Sequence, residues 1–152
     1  MTHYYLDTSA LVKRYVTETG TIWITTLYKD LTNNLYTNPI SSVEAIAAFH
    51  LRVRTGTLLA TEATRISQQV RKEFQARYRF VSLSTEVINI GLDLAEQYPL
   101  RGYDAVQLAS ALFLNRLRVA ESFLPIIFLS ADERVNKVAV AEGLTVENPN
   151  DH

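Results

Sequence analysis

Ile126-Ile127-Phe128-Leu129-Ser130-Ala131-Asp132-Glu133 is the stretch that decides the fold. Its unbroken apolar run, opened by two β-branched residues, reads as a short strand buried on both faces. A helix follows from Ala131 to Ala141 and is stopped by Gly143, and Leu144 to Val146 reads as a last short strand. Strand, helix and strand at this spacing make one crossover unit of a parallel sheet.

Moving outward, the same alternation runs through the chain. Tyr4 to Leu6 reads as a buried strand, Ser9 to Tyr15 as a helix start and Thr21 to Leu31 as a second helix. Tyr36 to Ile40 reads as a short strand near an edge or an end because it holds Pro39. Ser42 to Val53 is expected to be a helix closed by Gly56, and Thr61 to Tyr78 a longer one with Ala63, Ile66, Val70 and Phe74 on its apolar face. Phe80 to Leu83 reads as a strand, Glu86 to Tyr98 as a helix ended by Pro99, and Tyr103 to Leu117 as a central buried helix. The expected architecture is one α/β domain over residues 1–152, a parallel sheet of four or five short strands flanked by helices.

Composition fits that domain and narrows its chemistry. Apolar residues make up 47% and charged residues 20% of the 152, ordinary for a globular chain. There is no cysteine, which excludes disulfides, thiolate catalysis and cysteine-held metal. The N-terminus lacks a basic start before a long apolar run, so no signal peptide is expected, nor any membrane span; a cytoplasmic location fits. A net charge of −1 argues against a strongly basic nucleic-acid binder, while leaving room for an enzyme with a local basic patch.

Sites in parallel α/β sheets lie beyond the carboxyl ends of the strands. Asp7 directly follows the first strand and Asp132 follows Leu129 by three residues; Glu44 and Asp104 are expected in the first turns of their helices. Each has an ordinary explanation. Acidic residues favour first helical turns. Ser41 with Glu44, and Ser130 with Glu133, have capping-box spacing. Asp7 has the type of a cap residue. As a set they argue for more, because carboxylates crowded at one edge of an apolar scaffold repel one another. A divalent cation removes that penalty, and an all-oxygen donor set selects Mg²⁺ or Mn²⁺ over zinc.

The segments Tyr5-Leu6-Asp7-Thr8-Ser9-Ala10-Leu11, Ser42-Val43-Glu44-Ala45, Tyr103-Asp104-Ala105-Val106-Gln107-Leu108-Ala109 and Leu129-Ser130-Ala131-Asp132 occur in this order. Together they resemble the signature segments of PIN-domain ribonucleases, most of all VapC-type toxins of toxin–antitoxin pairs. The resemblance implies that Asp7, Glu44, Asp104 and Asp132 form a catalytic metal site, with Asp7 and Asp104 the first-choice direct ligands. It places Ser9 and Ser130 beside that site, where helix capping is an equal reading. Glu18 reads as structural.

The implied reaction is hydrolysis of an RNA phosphodiester by water activated on one or two Mg²⁺ ions, leaving a 5′-phosphate. His3, His50 and His152 have no ligand spacing and suggest no acid–base pair. Arg65, Gln68, Lys72, Gln75 and Arg79 would share one helix face, so Arg65, Lys72 and Arg79 are candidate RNA contacts, although a solvated polar face is the commoner and favoured explanation. Arg52 and Arg54 are similar. The alternatives are a metal-dependent DNA nuclease and a non-catalytic PIN-fold binding module. The resemblance also implies a homodimer and a small antitoxin that docks as an amphipathic helix. Trp23, Leu27 and Tyr28, with Phe49 and Val53, are the candidate groove, and for Phe49 a place in the core is an equal reading.

Overall fold

The computed structural model describes residues 1–152. Strands β1 (His3–Leu6), β2 (Asn34–Thr37), β3 (Arg79–Phe80), β4 (Ile127–Leu129) and β5 (Thr145–Glu147) form one sheet in the order β3-β2-β1-β4-β5. Every neighbouring pair is parallel. The helices are α1 (Thr8–Leu11), α2 (Thr21–Lys29), α3 (Ile40–Arg54), α4 (Ala60–Ala76), α5 (Thr85–Gln97), α6 (Gly102–Ala120) and α7 (Glu133–Ala141), and α1 runs on into a 3₁₀ turn, Val12–Arg14. No helix is long and apolar enough to cross a membrane.

The period-two alternation of strand side chains builds a core on each face of the sheet. Tyr5, Ile126 and Phe128 point to one side, where they pack with residues of α5, α6 and α7 such as Val87, Leu108, Leu112 and Val135. Leu6, Leu35 and Leu129 point to the other, against Leu11, Ile24, Phe49, Ile66 and Val70 from α1 to α4. The chain therefore stacks as helices, sheet, helices. After β1 it builds outward through β2 and β3, then returns to lay β4 on β1's other side. The crevice between β1 and β4 is the switch point of the sheet, where α/β folds place ligands.

Several boundaries differ from the sequence expectation. Pro39 lies outside β2, which ends at Thr37 and is an interior strand; Pro39 instead directly precedes α3. The strand expected over 80–83 is the pair Arg79–Phe80. Arg79 thus leaves the α4 face, because that helix ends at Ala76. Helix α6 is buried mainly between Ala105 and Leu112, while Tyr103 before that stretch and Leu117 and Val119 after it are exposed. Helix α7 begins later than expected, at Glu133, and Asp132 caps it. Gly143 ends α7 as expected: at φ +89° its N–H reaches Val140 O, and the Leu144 N–H reaches Ala139 O.

Candidate active site

Asp7 is the residue immediately beyond β1, at the centre of the carboxyl edge. It caps α1, with Oδ1 accepting from Ala10 N at 3.0 Å and from the Ser9 hydroxyl at 2.6 Å. The Ser9 oxygen also accepts from Ala131 N at 2.8 Å and sits 3.3 Å from Ser130 Oγ. Ser130 Oγ in turn accepts from Asp132 N at 3.1 Å. One hydroxyl pair therefore ties the end of β1 to the end of β4. Asp7 is only 5% exposed. Burial pushes its carboxyl up to about 6 from 3.8, and the charge of Asp104 adds to the rise; the Ser9 hydroxyl and Ala10 N–H, with Ser130 close by, pull the other way.

Glu44 stands in the second turn of α3, which starts at Ile40. The capping-box reading of Ser41 and Glu44 fails for that reason. Asn38 does the capping, accepting from Ile40 N at 2.9 Å, and Ser41 is fully buried. Glu44 Oε1 instead accepts from Thr8 Oγ1 at 3.1 Å and from Gln107 Nε2 at 3.0 Å. Gln107, itself buried, also contacts Ser41 Oγ at 2.8 Å and Thr8 Oγ1 at 3.2 Å, and its carbonyl oxygen accepts from Tyr5 OH at 2.8 Å. It lies one helical turn beyond Asp104 on α6, so the same face carries both.

Asp104 sits in the first turn of α6, as expected, and accepts from Arg101 Nε at 3.1 Å. Arg101 also approaches Asp132, 3.8 Å away. The capping box of Ser130 and Glu133 is not formed: Asp132 is itself the cap of α7, accepting from Arg134 N at 2.9 Å and pairing with its guanidinium at 3.2 Å. Burial works to raise the Asp132 carboxyl, and the bonds and charge of Arg134 outweigh it, leaving the carboxyl below the usual range.

Two linked groups result. Asp7, Ser9 and Ser130 join Asp132 through hydroxyls and backbone, and Arg101 joins Asp132 to Asp104. Thr8 and Gln107 hold Glu44 beside Asp7's neighbour. No three acidic or histidine side chains come close enough together to hold a metal ion in this arrangement. The donor set fits a hard cation nonetheless. Asp7 carries a buried carboxylate near a second acid and has no cationic side chain on it, while arginines neutralise Asp104 and Asp132. Thr8, Gln107, Arg101 and Arg134 went unassigned in the sequence, although Thr8 and Gln107 lie inside its quoted segments. Helical spacing from Asp104 was the available signal for Gln107.

The other candidates spread out. Arg65 and Lys72 are exposed on α4, and Arg65 pairs with Glu62 at 3.0 Å. Arg79 lies in β3, where its charge acts on His3. Glu18 is structural as expected: it holds the buried Lys13 at 3.4 Å and Arg52 at 3.1 Å. Phe49 is fully buried in the core, so it lines no surface groove. Trp23, Leu27, Tyr28 and Val53 are half-buried against the same core.

The PIN-domain family model matches residues 4–141. The chain belongs to the PIN-domain family. This PIN domain resembles a chain of VapBC2 from Rickettsia felis, solved bound to a promoter DNA fragment, at 14% identity and TM-score 0.61 over 96% of this chain and 98% of that one. It resembles a chain of a toxin–antitoxin complex from Klebsiella pneumoniae at 15% identity and TM-score 0.60, covering 96% and 97%. A chain of FitAcB from Neisseria gonorrhoeae gives 15% and 0.56, again covering 96% and 97%. At these identities the likeness is one of fold. Comparison with curated proteins gives no significant match.

Proposed function

We propose that this PIN domain is a Mg²⁺- or Mn²⁺-dependent endoribonuclease and the toxin of a toxin–antitoxin pair. The observation that carries the nuclease reading is Asp7: a buried carboxylate at the β1–β4 crevice, raised by burial and by Asp104, with no cationic side chain of its own. Capping of α1 needs no second acid nearby, and Glu44 caps nothing at all. The toxin reading is supported by the complexes in which structures of the same fold were solved.

Asp7 and Asp104 would hold the ion directly, with Glu44 and Asp132 binding it directly or through water. When bound, the ion supplies Lewis acidity and charge neutralisation at a phosphodiester. The protein's part is positioning. Ser9 and Ser130 fix Asp7 against the end of β4. Gln107 and Thr8 aim the Glu44 carboxylate. Arg101 pairs with Asp104 Oδ2 and would compete with an ion for that oxygen. No histidine bonds to any of the four acids, so the carboxylates are the groups available to accept a proton from water.

The test is cleavage of matched single-stranded RNA and DNA with Mg²⁺ or Mn²⁺. RNA is cut and leaves 5′-phosphates, and Asp104→Asn abolishes cutting while its circular dichroism and melting stay native. Undiminished cleavage by Asp104→Asn overturns the site; cleavage of DNA alone favours the DNA-nuclease reading. For the toxin role, expression arrests growth and a small antitoxin encoded beside it relieves the arrest.

A further inference from the structure

A groove of about 710 Å³ runs between α3 and α4, with one end at the start of α3, just beyond the carboxyl end of β2. Ser42 and Val43 line its near end, and Glu44 is the next residue, about 100° further round the same helix. Its floor is apolar, from Ile46 and Phe74. Phe80 stands at its side with 44% of its surface exposed, held at 5.7 Å from the Phe74 ring. Arg54 from α3 and Arg71 from α4 supply two positive charges, and no acidic residue lines the groove.

The two arginines stand apart from others on this side of the molecule. Arg14 is paired with Glu73, Arg52 with Glu18, and Arg77 is bonded to the carbonyls of Tyr28, Asp30 and Asn33. Arg54 and Arg71 have no carboxylate partner. An apolar partner helix laid here would bury both guanidinium groups uncompensated, which is costly. A phosphate backbone would pair them. An exposed aromatic ring beside those charges suits an unpaired base, since a base within a duplex has no free face to stack.

We propose that the α3–α4 groove is the track along which single-stranded RNA reaches the carboxylates, with Arg54 and Arg71 on its phosphates and Phe80 stacked on a base. The inference rests on the nuclease reading for its biological sense, but it is tested separately. Binding of a fluorescein-labelled single-stranded 12-mer RNA is followed by anisotropy without divalent cation, across a salt series. Arg54→Gln/Arg71→Gln weakens binding at least tenfold and lowers the salt slope by about 1.4, two phosphates' worth for a single strand. Phe80→Ala weakens it by about 5- to 150-fold, the range for loss of one stacked base. Arg116→Gln, an exposed cation toward the far end of α6, leaves both values unchanged.

Equal weakening by Arg116→Gln, unchanged affinity in natively melting groove variants, or no RNA binding by the wild type overturns the proposal. So does loss of self-association or of antitoxin binding in the variants with RNA affinity intact, which would make the groove a protein interface. Hydrolysis of bis(p-nitrophenyl) phosphate with Mn²⁺ by the wild type, and its loss in Asp104→Asn, reports on the carboxylates alone. Failure there with normal groove results would reject the nuclease reading and leave the groove standing.

Discussion

Asp7 pairs an ordinary structural role with an unfavourable electrostatic one, and the conflict is measurable. Its carboxyl is raised to about 6 in the fold from 3.8 outside it. The folded state therefore binds the proton more tightly. Stability from this group is fully present below about pH 3.8 and is lost as pH rises through about 6. A shift of roughly two units is worth at most about 3 kcal/mol. Asp7→Asn keeps an oxygen for Ser9 and Ala10 and removes the charge, so without metal it should melt several degrees above wild type at pH 8 and close to it at pH 4. Scanning calorimetry at both pH values checks this, and a pH-independent difference contradicts it. Mn²⁺ should raise the wild-type melting temperature and leave Asp7→Asn unmoved. Arg101 gives the complementary test. Its guanidinium is largely exposed and spans Asp104 and Asp132, so it competes with a cation for both. Arg101→Gln should tighten Mn²⁺ binding severalfold in titration calorimetry at low salt; equal or weaker binding would mean that the arginine is no competitor. At this scale the four acids were readable as candidates because residue type and order carry them. Their partners were not, since the contacts of Gln107 with Thr8, Ser41 and Glu44 span 63 to 99 residues of sequence.

Among the elements, helix starts misled the sequence reading more than helix interiors did. Glu44 was expected in a first turn because Ser41 resembles a cap, yet Asn38 caps α3 and Ser41 turns inward to Gln107. The same spacing in Ser130 and Glu133 misplaced the start of α7. A capping box is a local pattern, and here long-range hydrogen bonds to the serines outweighed it. Apolar stripes fared better: Ala63, Ile66, Val70 and Phe74 are all buried, because their period of three to four is a property of the helix itself. One start holds a further device. Gly20 precedes α2 at φ +87°, and a Cβ there would fall on the Pro149 carbonyl of the C-terminal 3₁₀ turn, Pro149–Asp151. His152 then stacks on Trp23 with ring centroids 3.9 Å apart. Gly20→Ala must both strain the backbone and displace that turn, a loss of roughly 2 kcal/mol or more. Trp23 is the sole tryptophan, so its emission should shift to the red in the variant as the stack opens, with a lower urea midpoint. An unchanged spectrum would mean that the turn docks without needing the glycine.

For the molecule as a whole, the fold class followed from the alternation of strand and helix, and the sheet order did not. Nothing local tells β4 to pair with β1 rather than with β3; the right-handed crossovers and the two-sided core decide it. That core also predicts cooperativity. β1 and β4 contribute side chains to both faces, Tyr5 and Phe128 to one, Leu6 and Leu129 to the other. Phe128→Ala should cost about 3–5 kcal/mol. It should lower the urea midpoint equally by Trp23 fluorescence, on the opposite face, and by far-ultraviolet dichroism; separate transitions would show that the two faces unfold independently. The central position of β1 has one more consequence, in time rather than in space. Asp7 is made more than 120 residues before Ser130 and Asp132, which complete its surroundings. At about 5–20 residues per second, translation separates them by roughly 6–25 s. Throughout that interval the nascent chain has its first acid without the strand that completes the crevice around it.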